Sequence, residues 1–176
     1  MKHVSYPAMA DTPAFTLRSV QPGDDAFLFR LYASTRAEEL AASGWPAAQR
    51  EAFLRSQFAA RRSGYAAAFP RATHAVVVRG RVPIGALIVE RKEEEIRLVD
   101  LALLPAQRDA GTGGWLLRGL MAEARAAGKP LRLQVLKNNP AARLYGRLGF
   151  APTGENGLYL KMEWRAEGNP PRVAGA

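Results

Sequence analysis

Leu101-Ala102-Leu103-Leu104-Pro105-Ala106-Gln107-Arg108-Asp109-Ala110-Gly111-Thr112-Gly113-Gly114-Trp115-Leu116-Leu117 is where the pattern of this chain changes most sharply. Upstream, Ile96 to Leu104 is a largely apolar run closed by Pro105, which reads as a buried strand. Downstream, Leu116, Leu117, Leu120, Met121 and Ala124 fall on one stripe of a helix that Gly128-Lys129-Pro130 stops. A strand that runs through a glycine-rich turn into a helix leaves several backbone N–H groups without partners. The helix dipole adds positive potential there, so the turn suits an anion, phosphate above all. Gly111, Gly113 and Gly114 place no side chain between those amides and a ligand. On these residues alone, a tight connection explains the turn as well as a binding site does. No Gly-x-x-x-x-Gly-Lys-Ser/Thr occurs, which excludes a P-loop, and no Gly-x-Gly-x-x-Gly follows the first strand as a Rossmann site requires.

Working outward, Phe15 to Arg18 alternates as a short strand, and Pro22-Gly23-Asp24-Asp25 forms a turn and N-cap. A helix follows with Phe27, Leu28, Leu31 and Leu40 facing inward. Gly44-Trp45-Pro46 breaks it, and a second helix spans about 47–62 with Phe53, Leu54 and Phe58 at helical spacing. Residues 74–78 and 84–89 are β-branched runs joined by Arg79-Gly80-Arg81, a hairpin signal. Later come a strand over 131–136, a short helix over 140–148 and a last strand over 158–164. The pattern is α/β, a mixed, largely antiparallel sheet flanked by helices in three layers. One domain over residues 14–165 is expected, with flexible segments at 1–13 and 166–176.

Composition narrows the function classes. The chain has 176 residues, no cysteine and two histidines, His3 and His74, so thiolate and His-rich metal sites are excluded and no metal is expected. No run approaches membrane-spanning length, and Met1 to Pro7 lacks the apolar core of a secretory signal, so a cytoplasmic protein is expected. The net charge of +9 is spread without a run of five or six basic residues, so nucleic acid is not an expected partner. A positive field also suits a polyphosphate ligand.

With its flanks, the Arg108–Gly114 turn closely resembles the acetyl-CoA signature of the GNAT superfamily of N-acetyltransferases: Arg or Gln, two residues, Gly, one residue, Gly or Ala, between a strand and a helix. Leu133-Gln134-Val135-Leu136-Lys137-Asn138-Asn139-Pro140-Ala141-Ala142-Arg143-Leu144-Tyr145, then Gly149-Phe150, resembles that family's second signature. The resemblance is strong from Ile96 to Phe150, and the element order extends it over residues 14–164.

The resemblance implies that Arg108, Asp109, Ala110, Gly111, Thr112, Gly113 and Gly114 hold the pyrophosphate of acetyl-CoA through their backbone amides. The strand ending at Leu103-Leu104 would splay from the 131–136 strand and pair with the pantetheine arm. An amide near Leu103 would then stabilise the oxyanion. Tyr145 matches the general acid that protonates the departing thiolate, and a phenol keeps its proton at neutral pH. Its plain alternative is an amphipathic Tyr packed between sheet and helix. For the base, some members carry a Glu where this chain has Gln134. Asp100, the carboxylate inside the apolar run, is the candidate, with a structural, Arg-paired Asp as the equal alternative. Glu90 and Glu95 are fallbacks, Glu93–Glu95 reads as a solvated hairpin tip, and His74 as a packed or edge histidine.

Two positions depart from the family. Asp109 stands where Gly is usual, and the loop before Tyr145 is one residue short, which leaves open whether Asn138 or Asn139 contacts pantetheine. The expected activity is direct acetyl transfer from acetyl-CoA to a primary amine of a small molecule or peptide, with a homodimer allowed for. The alternative is a catalytically weak acyl-CoA-binding or sensing module. Residues 24–62 with Tyr65 and Phe69 are expected to form the acceptor pocket. Their arginines (Arg36, Arg50, Arg55, Arg61, Arg62) hint at an acceptor carrying a carboxylate or phosphate.

Overall fold

A computed structural model describes residues 15–166. The expected flexible segment 1–13, and all but the first residue of the one at 166–176, lie outside the described residues. In chain order the elements are β1 (Phe15–Ser19), a 3-10 turn (Pro22–Asp24), α1 (Asp25–Thr35), α2 (Ala37–Ala41), α3 (Ala47–Ala68), β2 (Thr73–Arg79), β3 (Val82–Arg91) and β4 (Ile96–Leu103). A second 3-10 turn (Pro105–Gln107) leads to α4 (Thr112–Ala126), then β5 (Leu131–Leu136), α5 (Ala141–Arg147), β6 (Ala151–Asn156) and β7 (Tyr159–Trp164). The strands form one open, mixed sheet in the order β1-β2-β3-β4-β5-β7-β6, with helices flanking it. The α/β expectation therefore holds.

Two compact units share β3 and β4 along the chain: residues 15–88 with 100–108, and residues 89–99 with 109–166. In the first, β1 pairs antiparallel with β2 over its whole length, from Phe15 opposite Arg79 to Ser19 opposite Ala75. Its core is Phe27 and Leu31 of α1 against Val76 and Val78 of β2, with Val20, Leu28, Ala86, Ala102 and Leu104 around them. Arg18 donates to both carboxylate oxygens of Asp24 at 2.7 Å, a bidentate pair that ties β1 to the turn opening α1. In the second unit α4 buries Leu116, Leu117, Leu120 and Ala124, the stripe expected from its periodicity. β5 pairs antiparallel with β7, and Leu131, Leu133 and Val135 alternate inward as a half-buried strand must.

Four boundaries differ from the sequence expectation. The first helix breaks at Arg36 into α1 and α2, yet Leu40 remains buried, so the apolar spacing continued while the backbone reset. Arg36 pairs with Glu39 at 2.6 Å and holds the restart. α3 runs on to Ala68: the helix passes through Ser63-Gly64, where the sequence reading ended it, and the Tyr65-Ala66-Ala67-Ala68 run carries it on. β6 was not foreseen, because Ala151-Pro152-Thr153-Gly154-Glu155-Asn156 reads as turn chemistry. Its residues are all exposed at the sheet edge, where Pro and Gly are tolerated. Leu158 lies in the turn before β7 and not in the strand. Finally, Glu95 is not part of a solvated tip. It is 6% exposed and binds Arg97 at 2.8 Å and Arg132 at 3.0 Å, which hold its carboxyl below the usual range against the opposing cost of burial.

β3 meets β4 most closely at Gly85. A methyl group there would come within 2.5 Å of Leu103 Cδ2 and 2.6 Å of the Ala102 carbonyl oxygen. One of these is backbone and cannot swing aside. Gly85→Ala is expected to destabilise the protein by about 1–3 kcal/mol in urea unfolding, the cost of an overpacked site. An unchanged midpoint would show that β4 yields at this point.

Candidate active site

The turn between β4 and α4 leaves a run of backbone amides open. Gln107 and Arg108 donate their amides back to Leu104 and Pro105, closing the 3-10 turn, and Trp115 is the first residue of α4 to bond backward, to Gly111. Among the described residues, the six amides from Asp109 to Gly114 have no acceptor. Gly111 has φ 80°, and a Cβ there would meet nothing within 4 Å, so the space over it is open. Asp109 takes φ 57°, the left-handed conformation that Asp adopts more readily than most residues. Thr112 is fully buried, with its hydroxyl oxygen unpaired among the described residues.

β4 delivers the chain to this turn with one side released. Its parallel pairing with β5 covers Ile96–Leu98 only, opposite Leu131–Leu133. On that side no ladder partner is found for residues 99–103 among the described residues. On the other side Leu104 donates its amide to Ile84. That leaves Leu103, not Leu104, as the donor an oxyanion could use. The Leu103 carbonyl accepts from Arg108 Nε at 3.1 Å, and Arg108 also reaches the Ser34 carbonyl at 3.5 Å.

A cavity of about 230 Å³ lies within the first unit, lined by α1, α3 and strands β2 to β4. Its walls are mainly Leu28, Leu31, Phe58, Ala86, Leu87 and Ala102, with Tyr32, Arg61, Tyr65, His74 and Asp100 as the polar groups. Phe69, expected here, stands behind Tyr65 in an edge-to-face contact and is not part of the lining. Asp100 binds Arg61 of α3 at 2.6 Å, so the Arg-paired alternative is found, with a helix arginine as partner while Arg97 holds Glu95. The Arg61 guanidinium lies 5.5 Å from the ring centre of Tyr32 and 5.1 Å from that of Tyr65. Burial raises the Asp100 carboxyl above its ordinary range, outweighing Arg61 and the nearby His74, which pull it down. Burial and the adjacent Arg62 lower the His74 imidazole, with Asp100 opposing. His74 thus belongs to the polar group of the cavity, a role that a lone strand histidine does not reveal in sequence.

The remaining site candidates lie in the second unit. Tyr145 is buried on α5 against Phe150, ring centres 5.7 Å apart. Asn139 caps the start of α5, its Oδ1 accepting from the Ala141 amide at 2.9 Å. Asn138 is exposed beside it, and so is Gln134 on β5. Glu90 is buried and bound by Lys92 at 3.1 Å, which assigns it a structural place. Sequence reasoning overlooked Arg118. One helical turn beyond Gly114, its guanidinium lies 3.4 Å from where a Gly114 Cβ would stand, covering the start of α4 with positive charge.

Residues 70–152 match the family model of the acetyltransferase (GNAT) domain. That stretch is just under half of the chain, and over it the chain is similar to GNAT acetyltransferases. Solved structures with similar folds include the PaiA N-acetyltransferase from Thermoplasma acidophilum in complex with coenzyme A, at 16% identity and TM-score 0.65, covering 86% of this chain and 99% of that one. A GNAT family acetyltransferase from Elizabethkingia anophelis with acetyl-CoA bound aligns at 14% identity and TM-score 0.58, covering 88% and 100%. An acetyltransferase from Thermus thermophilus aligns at 19% identity and TM-score 0.61, covering 94% and 100%. No curated protein matches the chain. The family-model match and these folds together liken the chain to acetyl-CoA-dependent acetyltransferases. Among the described residues no helix is long and apolar enough to cross a membrane, and no cluster of three potential ligands could hold a metal.

The residues fit the acetyl-CoA that the resemblance implies: six amides without a protein acceptor at a helix start, an open glycine and Arg118 suit a pyrophosphate. Asp109 is the discordant group. Asp109→Gly removes a carboxylate from the turn expected to hold the pyrophosphate and suits φ 57°. Calorimetry should show coenzyme A binding about three-fold tighter or more at low salt, with the gain shrinking as salt rises. Weaker binding would mean that the carboxylate positions the turn.

Proposed function

We propose that this GNAT domain transfers acetyl from acetyl-CoA directly to a primary amine held in the first-unit cavity. The observation that carries the reading is that β4 supplies both ends of the chemistry. Asp100 stands in the cavity wall, and three residues on, Leu103 leads into the amide cradle. Acetyl-CoA brings the activated acyl group. Asp109 to Gly114 bind its pyrophosphate, and the exposed Asn138 is the pantetheine contact, since Asn139 is committed to capping α5.

An amine is a nucleophile only after losing its ammonium proton. Asp100 accepts that proton, and the raised carboxyl brings it nearer to the amine than an ordinary Asp stands. Arg61 fixes the carboxylate in place. The Leu103 amide faces the oxygen on which negative charge develops. The Tyr145 hydroxyl gives its proton to the departing sulfur. Without a Cys and without a Gly-x-Ser-x-Gly turn, no covalent acetyl-enzyme is part of the scheme.

The competing reading, an acyl-CoA-binding module, is favoured by the Arg61–Asp100 pair and by Gln134 in place of a family Glu. Tyr145→Phe separates the two. Under the proposal kcat falls about 100-fold or more while the unfolding midpoint and coenzyme A affinity stay put. A rate that does not change removes Tyr145 from the mechanism. Absence of thiol release with every amine, at intact coenzyme A binding, supports the module.

The pH profile tests the base. Asp100 must be ionised to accept a proton, so log(kcat/KM) should fall as pH drops through a carboxyl lying above the ordinary Asp range. Asp100→Asn should lower kcat/KM about 100-fold and abolish that acid limb. A limb that persists in the variant belongs to another group, His74 first.

A further inference from the structure

Among the described residues, every charge that faces the cavity is already matched by a protein partner. From α3, Arg61 is bound by Asp100 of β4 at 2.6 Å, and Arg62 by Asp25 of α1 at 2.8 Å. From β2, His74 has its imidazole lowered, which keeps it neutral at pH 7. α1 adds the hydroxyl groups of Tyr32 and Thr35, and β3 contributes only aliphatic groups. The Tyr32 hydroxyl in turn accepts from Arg36 at 3.2 Å, and Arg36 is itself held by Glu39. Of the five arginines that suggested an anionic acceptor, four are engaged, Arg36 with Glu39, Arg55 with Glu51, Arg61 with Asp100 and Arg62 with Asp25, and the fifth, Arg50, is not among the residues lining the cavity.

An acceptor that brings a second charge therefore finds nothing free to receive it. The extra ammonium of a polyamine would sit beside Arg61 and Arg62 with no unpaired carboxylate in the walls. A carboxylate or phosphate would have to displace Asp100 or Asp25 from an arginine, and either exchange strips water from an ion without a new partner. An apolar body, by contrast, meets matching walls in Leu28, Leu31, Phe58, Ala86 and Leu87. The cavity is also small, about 230 Å³, room for one ring and a short tail.

We propose that the acceptor is a small monoamine whose remaining part is a single uncharged apolar group, an aryl or branched alkyl body, seated in this cavity with its amine toward Asp100. The inference rests on the acetyl-transfer reading above and names the substrate class for that site. The paired Arg61–Asp100 unit then has a second use. It presents a carboxylate oxygen to one amine while its guanidinium, lying against Tyr32 and Tyr65, repels a further cation.

The test is thiol release from acetyl-CoA by the full chain with ethylamine, hexylamine, 2-phenylethylamine, spermidine and phenylalanine. Alongside it, binding of 2-phenylethylamine alone is followed by calorimetry. From ethylamine upward kcat/KM should rise about four-fold per methylene until the cavity is full. 2-Phenylethylamine should exceed spermidine and phenylalanine by on the order of 100-fold, as unpaired charges demand. Narrowing the cavity with Ala66→Leu on exposed α3, or independently with Ala75→Val on β2, should lower the ratio of 2-phenylethylamine to ethylamine turnover several-fold. Spermidine or phenylalanine turning over as fast as 2-phenylethylamine overturns the inference and leaves acetyl transfer standing. Silence with every amine, while 2-phenylethylamine and coenzyme A both bind, overturns acetyl transfer and leaves the cavity assignment standing. Failure of 2-phenylethylamine to bind or react overturns the inference outright.

Discussion

β4 is held differently on its two sides, and the rest of the domain is arranged around that difference. Toward β3 it is pressed so closely that Gly85 has no room for a methyl group, and Leu104 is still bonded to Ile84 where the strand ends. Toward β5 its ladder stops at Leu98. A strand gripped on one edge and released on the other keeps its position while offering backbone groups to something other than protein. The released stretch holds Asp100 and Leu103, and the chain then enters a turn in which six consecutive amides also lack protein partners. Such a concentration of unmet donors is costly to fold unless water or a ligand satisfies them. Asp109, Ala110 and Gly111 are exposed, so water meets their amides, and the proposed pyrophosphate would replace it.

Much of this was legible in the sequence because it is local. The glycines at 111, 113 and 114 announce the turn, the Leu116–Ala124 stripe announces α4, and the alternation at Leu131–Val135 announces β5. Asp109 was readable as a departure from Gly, and its left-handed backbone, which Asp adopts more readily than most residues, lets the turn keep its path. The second signature pointed to Tyr145 and to a pair of asparagines, and the structure distinguishes the two: Asn139 Oδ1 accepts from the Ala141 amide at the start of α5, while Asn138 has no such bond among the described residues.

What was not legible depends on residues far apart in the chain. Asp100 could be suspected from its place in an apolar run, but not that Arg61, 39 residues earlier, would be its partner. His74 looked like an edge residue because its neighbours in sequence are all that sequence shows. Its significance comes from α3 and β4. Glu95 was misread for the opposite reason: a run of three acids usually belongs to water, and only Arg97 and Arg132 together explain why the last is buried. β6 escaped because an exposed edge strand carries no apolar alternation to detect.

Arg108 carries a consequence for how the two substrates affect each other. Its guanidinium reaches the Leu103 carbonyl at the end of β4 and the Ser34 carbonyl in the last turn of α1. That same turn brings Tyr32 and Thr35 to the cavity. A phosphate that drew Arg108 away would loosen its hold on α1, and an acceptor that fixed α1 would change what Arg108 can offer a phosphate. Linkage makes such an effect mutual and equal in free energy. On the proposed function, one side chain would then tie what a phosphate does to Arg108 to the shape of the cavity beside α1, and the affinity for either substrate would become a function of the other.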